Sequence, residues 1–351
     1  MRATIIANPA AGHHAPPEEV QQIANYLREQ GIEVASIDTT LGPGDATTFA
    51  RQAVRCGIDV VFMLGGDGTI AQTVDGLVGS ETGLAVLPGG SGNVFARQMN
   101  LPVPGTIHPK PLLESTRLLL SGQVHRVDVG RMILGGGKGR VHHFLCWGGV
   151  GFDAQVNRTV SADKDIKRRL GSSLAHFVTT FMTLRDWRGT AASLRIDNNR
   201  VTRRMVMLVA SNIQLYGLSW RLAQHACIDD GWLDVYGFLG SGALRTFRHG
   251  IKLLVARHID DPEVDIYRAQ RVEIRTSRRL PVHVDGDFVG ETPVVIEMVP
   301  KALNLLVPPC APASLFSRAE GFGETPPTAW EWMQRMARDL QTAIRERSSS
   351  G

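Results

Sequence analysis

The hydrophobic positions in the first part of the chain form short runs that alternate with amphipathic stretches. We predict strands at residues 3–7, 34–38, 60–64 and 84–87. Residues 20–30 and 45–56 carry apolar side chains at helical spacing, and we predict them as helices between these strands. Alternating strands and helices favour a parallel sheet with helices on both faces. Sheets of this kind bind ligands at the carboxyl ends of their strands.

A glycine-rich turn, Gly-Gly-Asp-Gly-Thr at 65–69, follows the third of these runs. Glycine lets the backbone turn sharply and expose its N–H groups, and a helix that opens at Thr69 would add a favourable dipole for phosphate. An ordinary strand-to-helix turn, which also favours Gly and Asp, is the alternative. The position of Asp67 between glycines at the end of a strand favours a ligand or a metal.

Two further turns of this kind follow neighbouring strands. Residues 8–12 come after the first strand and either lie beside a phosphate or form a plain strand-to-helix turn. Residues 88–97 are a second glycine-rich turn that enters a helix, with the Ser91 hydroxyl and the Asn93 amide at its tip. Loops from neighbouring strands would form a single crevice.

The pattern changes after about residue 122, where short alternating segments are separated by turn residues. This pattern is typical of an antiparallel β-sandwich. The predicted strands are 124–129, 141–146, 193–197, 204–210, 233–238, 270–276, 281–284, 294–299 and 303–307. One predicted helix, 166–188, interrupts them and combines apolar positions with basic residues.

The last stretch begins with a linker rich in Pro, Ala and Ser, and residues 328–347 then carry an apolar stripe at helical spacing. This helix packs on the sandwich or on the partner of a homodimer, or it lies in a membrane interface. We therefore predict an α/β domain at 1–122, a β-sandwich domain at 123–309, and a linker with an amphipathic helix at 310–351.

Composition and charge indicate where the protein is located and which kinds of surface it contacts. The four cysteines lie more than eighty residues apart without metal-ligand spacing, which predicts reduced thiols in a cytoplasmic protein. The first residues show no secretion signal, and no stretch approaches the roughly 18 apolar residues of a spanning helix, so we expect membrane contact to be peripheral. Residues 161–204 hold ten Lys or Arg against four Asp or Glu. This surface faces anionic lipid or nucleic acid, or it is simply solvated.

Six motifs follow one another between residues 3 and 308. They are Asn-Pro-Ala-Ala-Gly at 8–12, Gly-Gly-Asp-Gly-Thr at 65–69, Leu-Pro-Gly-Gly-Ser-Gly-Asn-Val-Phe-Ala-Arg at 87–97, Gly-Val-Gly-Phe-Asp-Ala at 149–154, Ile-Asp-Asp-Gly-Trp-Leu-Asp-Val at 228–235, and Val-Asp-Gly-Asp at 284–287 with Thr-Pro at 292–293. In this order they resemble the diacylglycerol kinase and sphingosine kinase superfamily, above all its bacterial soluble lipid kinases. The glycine-aspartate loop alone would be shared with NAD kinases and resembles that of phosphofructokinases.

The resemblance implies that ATP lies in the crevice of a phosphofructokinase-like N-terminal domain, and that the sandwich domain offers the lipid hydroxyl. The residues it carries over to the nucleotide are Asn8, Pro9, Ala10, Ala11, Gly12, Thr40, Gly65, Gly66, Asp67, Gly68, Thr69 and Ser91. Glycine N–H groups and hydroxyls would hold phosphate oxygens, and Asp67 would take a nucleotide hydroxyl or reach magnesium through water. The chain departs from the family at Gln72, where Glu is common, and at Ser91, where Thr is usual.

The same resemblance assigns two acids of the second domain. Asp230 matches a magnesium position, with the backbone carbonyls of Cys227 and Trp232 completing the shell. Without the resemblance, this Asp-Asp-Gly would be a hairpin turn. Asp287 stands where the family has its catalytic base, usually Glu, which takes the proton of the attacking alcohol. Asp is shorter by roughly 1.5 Å of reach, and Asp285 is the alternative base.

We therefore expect a lipid kinase that uses ATP and Mg²⁺ to phosphorylate the hydroxyl of a diacylglycerol-like or sphingoid lipid at a membrane surface, with no nucleic-acid partner. The basic, apolar helix at 164–188 is expected to dock on anionic membrane. The alternatives are a kinase of a soluble acceptor such as NAD, and a nucleotide- or lipid-binding regulator with weak catalysis. None of the eleven histidines has a ligand-like pairing, and His142, His143 and His283, which lie in strand patterns, are interpreted as structural residues.

Overall fold

The computed structural model describes residues 1–12, 16–104, 110–162, 179–180, 182–217 and 220–317. It divides the chain into two compact units. The first contains Met1–Val127 and Ala302–Ala313, and the second contains Asp128–Lys301 and Ser314–Ser317. The first unit is an α/β domain and the second is built from antiparallel strands, which confirms the predicted fold class.

The first unit is built on a parallel sheet flanked by helices. Its strands are β1 (Arg2–Ala7), β2 (Glu33–Thr39), β3 (Val60–Gly65) and β4 (Gly83–Pro88). Its helices are α1 (Pro17–Glu29), α2 (Asp45–Arg55), α3 (Asp67–Leu77), α4 (Val94–Gln98) and α5 (Pro111–Leu120). The strand order is β4-β3-β1-β2 and all three pairings are parallel. β3 and β4 are buried along their whole length, which explains why both are continuous apolar runs.

The second unit is dominated by antiparallel pairs. Its strands are β5 (Gln123–Ile133, which begins in the first unit), β6 (Val141–Phe144), β7 (Trp147–Gly151), β8 (Thr190–Ile196), β9 (Asn199–Ser211), β10 (Leu215–Tyr216), β11 (Trp220–Arg221), β12 (Leu233–Leu239), β13 (Val264–Ala269), β14 (Arg271–Thr276), β15 (Pro281–Val284), β16 (Asp287–Glu291) and β17 (Val294–Val307). Its helices are the single turn α6 (Leu134–Gly137), α7 (Phe152–Ala162) and α8 (Ala243–Leu254), followed by a 3-10 turn at Ala313–Leu315. The central strands follow the order β16-β15-β7-β9-β8-β14-β17, and β12 pairs with β9 and β13.

Some elements differ from the sequence prediction. The strands predicted at 294–299 and 303–307 are one strand, β17. Its end belongs to the first unit because Asn304 and Leu305 pair in parallel with β4. Helix α8 was not predicted. The helix predicted at 328–347 lies outside the described residues, and so does most of 166–188, of which 179–180 and 182–186 are helical. The domain limits at 122 and 309 stay a prediction.

Among the helices that the structure describes, none is long and apolar enough to cross a bilayer.

Candidate active site

The residues predicted to hold a nucleotide lie at the carboxyl edge of the parallel sheet in the first unit. In the pairing of β1 with β3, Ala7 lies opposite Leu64, and in the pairing of β3 with β4, Gly65 lies opposite Pro88. The three strands therefore end at nearly the same level. The loops that follow them leave the sheet side by side, as the sequence predicted for phosphate-binding turns.

Side-chain and backbone contacts join the first of these loops to the other two. The Asn8 Nδ2 group donates to the Thr69 hydroxyl at 2.8 Å, and the Asn8 Oδ1 atom accepts from the Ala10 N–H at 3.0 Å. Gly12 lies so close to Ser91 that a Cβ on Gly12 would be 2.7 Å from the Ser91 Cβ. Residues 8–12 therefore contact both the glycine-aspartate loop and the tip of the loop after β4.

The second and third loops touch through glycine backbone. A Cβ on Gly90 would lie 2.5 Å from the Gly66 Cα, and a Cβ on Gly89 would lie 3.0 Å from the Gly65 nitrogen. Only glycine fits at such a contact. Helix α3 starts at Asp67, directly behind this contact, and the first N–H groups of a helix are a favourable position for an anion.

We expect Gly90→Ala to weaken ATP binding by at least about tenfold, or about 1.4 kcal/mol. The added methyl group would collide with Gly66 and separate the two loops. Isothermal titration calorimetry measures the affinity. Gly42→Ala is the matched control in the same unit, since a Cβ there meets nothing within 4 Å. Equal affinity for ATP in both variants would contradict the assignment of these loops to the nucleotide.

Asp67 connects the glycine-aspartate loop to helix α4. Its Oδ2 atom accepts from the Val94 N–H at 3.2 Å, and its Oδ1 atom accepts from the Phe95 N–H at 3.1 Å. Burial raises the pKa of Asp67, although the two backbone hydrogen bonds and the charge of Arg97 act against this shift. The carboxylate thus satisfies two of the free N–H groups at the start of α4. Its contact with a nucleotide hydroxyl or magnesium stays a prediction.

The remaining predicted residues of the first unit lie at the same edge of the sheet. The Thr40 N–H donates to the Ala7 carbonyl at 2.9 Å, so Thr40 continues the line of β2, and its side chain is buried. Pro9 and Ala10 are exposed. Gln72, at the position where the family commonly has Glu, accepts through Oε1 from the Gly44 N–H at 2.9 Å. Gly44 precedes helix α2, so the Gln72 amide ties α3 to the start of α2 without adding charge.

In the second unit, the tight turn between β15 and β16 carries both candidate bases. Asp285 and Gly286 have φ angles of +44° and +90°, the conformation of a two-residue hairpin that favours Asp-Gly. The buried Asp285 carboxylate accepts three backbone N–H groups, from Leu145 at 2.9 Å, Cys146 at 3.0 Å and Trp147 at 2.9 Å. Asp285 therefore anchors the turn to the segment before β7.

Asp287 lies two residues further on, at the first position of β16, and is exposed. Of the two acids in this turn, it is the one that solvent and a substrate can reach. The structure therefore separates their environments. The assignment of Asp287 as base stays a prediction, and the alternative base, Asp285, has the environment of a structural acceptor.

A buried group of three side chains next to this turn was missed by the sequence interpretation. His283 Nε2 lies 2.9 Å from Asp153 Oδ2, and the Tyr216 hydroxyl donates to the same oxygen at 2.8 Å. The Gly286 N–H donates to His283 Nδ1 at 3.3 Å, which requires a lone pair on that nitrogen and leaves the proton on Nε2. His283 thus links the Asp285–Gly286 turn to Asp153.

The charges of this trio depend on one another. Burial and the neighbouring Asp153 carboxylate raise the pKa of Tyr216 well above its usual value. Burial alone would raise the pKa of Asp153, but its contacts with His283 and Tyr216 outweigh this and lower it. In the sequence, the glycine motif at 149–154 was the feature that could have indicated this trio. A Cβ on Gly149 would lie 2.0 Å from His283 Nε2. That glycine makes room for the histidine.

Asp230 lies in an acidic turn of the second unit. Its Oδ1 atom accepts from the Trp232 N–H at 3.0 Å, and its Oδ2 atom is paired with Arg268. Burial raises the pKa of the nearby Asp234 to about 6, and the Asp230 charge adds to the shift while Arg268 opposes it. Burial, together with the charge of Asp230, likewise raises the pKa of the Cys227 thiol to about 11. The acids around the Cys227 thiol are Asp229, Asp230 and Asp234, and Arg268 is the cation that opposes their effect.

The turn offers few ligands for a magnesium ion, and its role as a magnesium site stays a prediction. Nowhere in the described ranges are three or more His, Cys, Asp or Glu side chains grouped as metal ligands. A magnesium ion would therefore depend on the Asp230 carboxylate, the backbone carbonyls of Cys227 and Trp232, and water. Magnesium accepts such a set, but both Asp230 oxygens are already engaged, by the Trp232 N–H and by Arg268, so the ion would share Oδ2 with Arg268 or displace it.

We expect Asp234→Asn to raise the free energy of unfolding by about 3 kcal/mol at pH 7.5 in EDTA. A carboxyl with a pKa of about 6 in the folded protein and 3.8 as its ordinary value destabilises the fold once the pH rises through this window. The gain should therefore be nearly absent at pH 4. Urea unfolding at both pH values measures it, and Asp260→Asn, at an exposed acid, is the control. An equal gain at both pH values would contradict the charge explanation.

Comparison with known proteins gives two family matches that together span most of the chain. Residues 2–132 match the diacylglycerol kinase catalytic domain, and residues 148–307 match the YegS C-terminal NAD kinase beta sandwich-like domain. The first match covers the glycine-rich loops, and the second covers the acidic turn, the buried trio and Asp287.

Curated and solved relatives agree with these matches. A diacylglycerol kinase of Bacillus subtilis (strain 168) is 24% identical over 309 residues, which are 88% of this chain and 96% of that protein. A probable lipid kinase YegS-like of Chromohalobacter salexigens is 29% identical over 301 residues, 85% of this chain and 91% of that protein. A crystal structure of a diacylglycerol kinase from Bacillus anthracis str. Sterne superimposes with a TM-score of 0.62 at 19% identity, covering 89% of this chain and 98% of that one.

Proposed function

The chain belongs to the superfamily of diacylglycerol kinases and related lipid kinases, and from this premise we propose that it transfers the γ-phosphoryl group of ATP to the hydroxyl of a diacylglycerol-like or sphingoid lipid. The observation that carries the proposal is the contact of three phosphate-type loops at the carboxyl edge of one parallel sheet. Gly12 against Ser91 and Gly66 against Gly90 leave no room for side chains between the loops.

The first unit would bind the phosphoryl donor. The backbone N–H groups of 65–69 and the hydroxyls of Thr69 and Ser91 would hold phosphate oxygens, and the N-terminus of α3 would favour their charge. Asn8 holds the Thr69 hydroxyl in place, since its Nδ2 group donates to it at 2.8 Å. Positioning and charge stabilisation of this kind supply most of the catalysis in phosphoryl transfer.

The second unit would bind and deprotonate the acceptor. The exposed Asp287 carboxylate takes the proton of the lipid hydroxyl as its oxygen attacks phosphorus. Asp285, bound by three N–H groups, holds the turn that presents Asp287. His283 supports the same turn from its other side through the Gly286 N–H.

Magnesium would be held by Asp230 with the backbone carbonyls of Cys227 and Trp232. The ion would neutralise phosphate charge. We further propose a cytoplasmic protein that associates peripherally with the membrane that contains its lipid substrate. A homodimer is compatible with this proposal.

The test is a transfer assay with purified protein, magnesium, radiolabelled ATP and mixed micelles that contain diacylglycerol, a sphingoid base or neither. Label in one lipid class is the expected result. The proposal would be contradicted if neither the wild-type protein nor its Asp287→Glu variant transferred label to any lipid. Turnover on NAD without lipid or detergent would instead identify a kinase of a soluble acceptor, and ATP binding without any transfer would identify a regulator.

A further inference from the structure

Helix α8 exposes an apolar stripe to solvent. Leu244, Phe247, Ile251 and Leu254 follow one another at intervals of three, four and three residues, so they share one face of the helix. Their exposed fractions are 81%, 50%, 46% and 62%, and Val255 extends the stripe at 59%. The opposite face is the buried one, with Thr246, His249 and Leu253. The helix is therefore already packed on its own unit, and the stripe is a second apolar face.

The concentration of apolar side chains at this helix is unusual for the part of the chain that the structure describes. Twelve large apolar side chains are exposed there, and five of them are the stripe residues. Single exposed apolar residues are ordinary, whereas a contiguous group marks a surface that meets a partner or a membrane. We call this group, residues 244, 247, 251, 254 and 255, the α8 stripe.

A row of cations runs beside the α8 stripe. Arg245, Arg248 and Lys252 each follow a stripe residue by one position, and the helix contains no carboxylate. Lys252 pairs with Asp261 at 2.7 Å, and Arg245 pairs with Glu263 at 3.5 Å. Arg248 pairs with Glu263 at 3.2 Å and with Asp261 at 3.6 Å. The three cations therefore share two acids that lie outside the helix, and they exceed these acids by one charge. Apolar side chains on one face with Lys and Arg beside them are typical of helices that lie in a membrane interface.

An exposed tryptophan lies at the edge of the same surface. Strand β11 packs against α8, and Trp220 in β11 is 38% exposed. Tryptophan is enriched where proteins meet the headgroup region of a bilayer. Across the β10–β11 pair, Trp220 lies opposite Tyr216, whose hydroxyl bonds to Asp153. One short hairpin therefore connects this surface to the buried trio.

We propose that the α8 stripe and Trp220 dock in the interface of an anionic membrane. The choice of a membrane rests on the proposed function, because a diacylglycerol-like acceptor lies in a bilayer. Charge favours a membrane over two other possible partners of this surface, a second copy of the chain and residues 328–347. A second copy that docked symmetrically would bring together two rows that each keep one positive charge in excess of Asp261 and Glu263. Residues 328–347, the chain's own apolar stripe, contain four Arg against three acids and offer the row no excess of negative charge.

Flotation of the full-length chain on vesicles of phosphatidylcholine and phosphatidylglycerol tests the proposal. We expect the wild-type chain to float with the vesicles, and Leu244→Gln with Phe247→Gln to weaken partition by at least about tenfold for each side chain. Leu41→Gln is the matched control, since Leu41 is 93% exposed in the first unit. Unchanged flotation of the double variant would overturn the proposal.

Maleimide labelling of a Phe247→Cys variant, followed by peptide mass spectrometry, separates the possible occupants. Rapid labelling in solution and protection on vesicles is the expected result. Slow labelling without vesicles would show that protein already covers the stripe, and equally rapid labelling on vesicles would show that the stripe stays in water. Either result overturns the proposal.

The outcome is independent of the kinase assay. The vesicles contain neither diacylglycerol nor ATP, so binding is measured without turnover. Flotation that depends on the stripe, together with no transfer to any lipid, would reject the proposed function alone. The double variant should keep wild-type turnover on substrate in detergent micelles, because neither side chain belongs to the proposed active site.

Discussion

Replacement of Asp287 by alanine is expected to lower lipid phosphorylation by at least about a hundredfold, which is the usual loss when a general base is removed. The unfolding temperature should stay the same, because Asp287 is exposed at the first position of β16. Initial rates at saturating ATP and lipid in mixed micelles measure the first effect, and thermal unfolding measures the second.

Two further substitutions at this position identify the chemical role of the carboxylate. Asp287→Asn keeps the size of the side chain but cannot take a proton, so we expect it to lose as much activity as alanine. Asp287→Glu restores the residue that is usual in the family and extends the reach of the carboxylate, and we expect at least wild-type turnover. Full activity in Asp287→Asn would show that another group accepts the proton.

The contact between the loops of the first unit could be predicted from the sequence because its determinants are local. Residues 65–69 and 88–97 each contain a strand end, glycines and a helix start within a few positions. Parallel strands bring such loops to one edge, and the contact of Gly66 with Gly90 follows from that arrangement. The role of Asp67 was less accessible, since its hydrogen bonds to the Val94 and Phe95 N–H groups join two loops.

The buried trio of the second unit depends on contacts between distant parts of the chain. Asp153 lies in helix α7, Tyr216 in strand β10 and His283 in strand β15, so only the tertiary packing of these three elements brings them together. In sequence, His283 is one histidine in an alternating strand. Its hydrogen bond to Gly286 depends on a turn whose geometry the letters Asp-Gly permit but do not require.

Helix α8 was missed for a different reason. Its apolar positions are spaced for a helix, but its buried face includes Thr246 and His249 while Leu244 and Leu254 are exposed. Patterns of apolar residues predict which face is buried only when the protein has a single apolar environment. When a second apolar environment such as a membrane is present, a helix can also have an apolar face that is not buried in the protein.

Asp285 is where the largest loss of stability is expected. Asp285→Ala would leave three buried backbone N–H groups, those of Leu145, Cys146 and Trp147, without their acceptor. An unsatisfied buried donor costs about 1–3 kcal/mol, so we expect a loss of at least about 3 kcal/mol in the free energy of unfolding. A typical domain has about 5–15 kcal/mol in total. Urea unfolding at neutral pH measures the loss.

Asp285→Asn should fall between the wild type and alanine for a geometric reason. Oδ1 accepts from the Cys146 and Trp147 N–H groups, and an amide oxygen can keep both of these bonds. Oδ2 accepts from the Leu145 N–H, where the amide would place a second donor against the first. Asp287→Asn is the matched control and should leave stability unchanged. If Asp285→Asn were as stable as the wild type yet inactive, while Asp287→Asn stayed active, the base would be Asp285, because an anchor cannot be removed without a loss of stability.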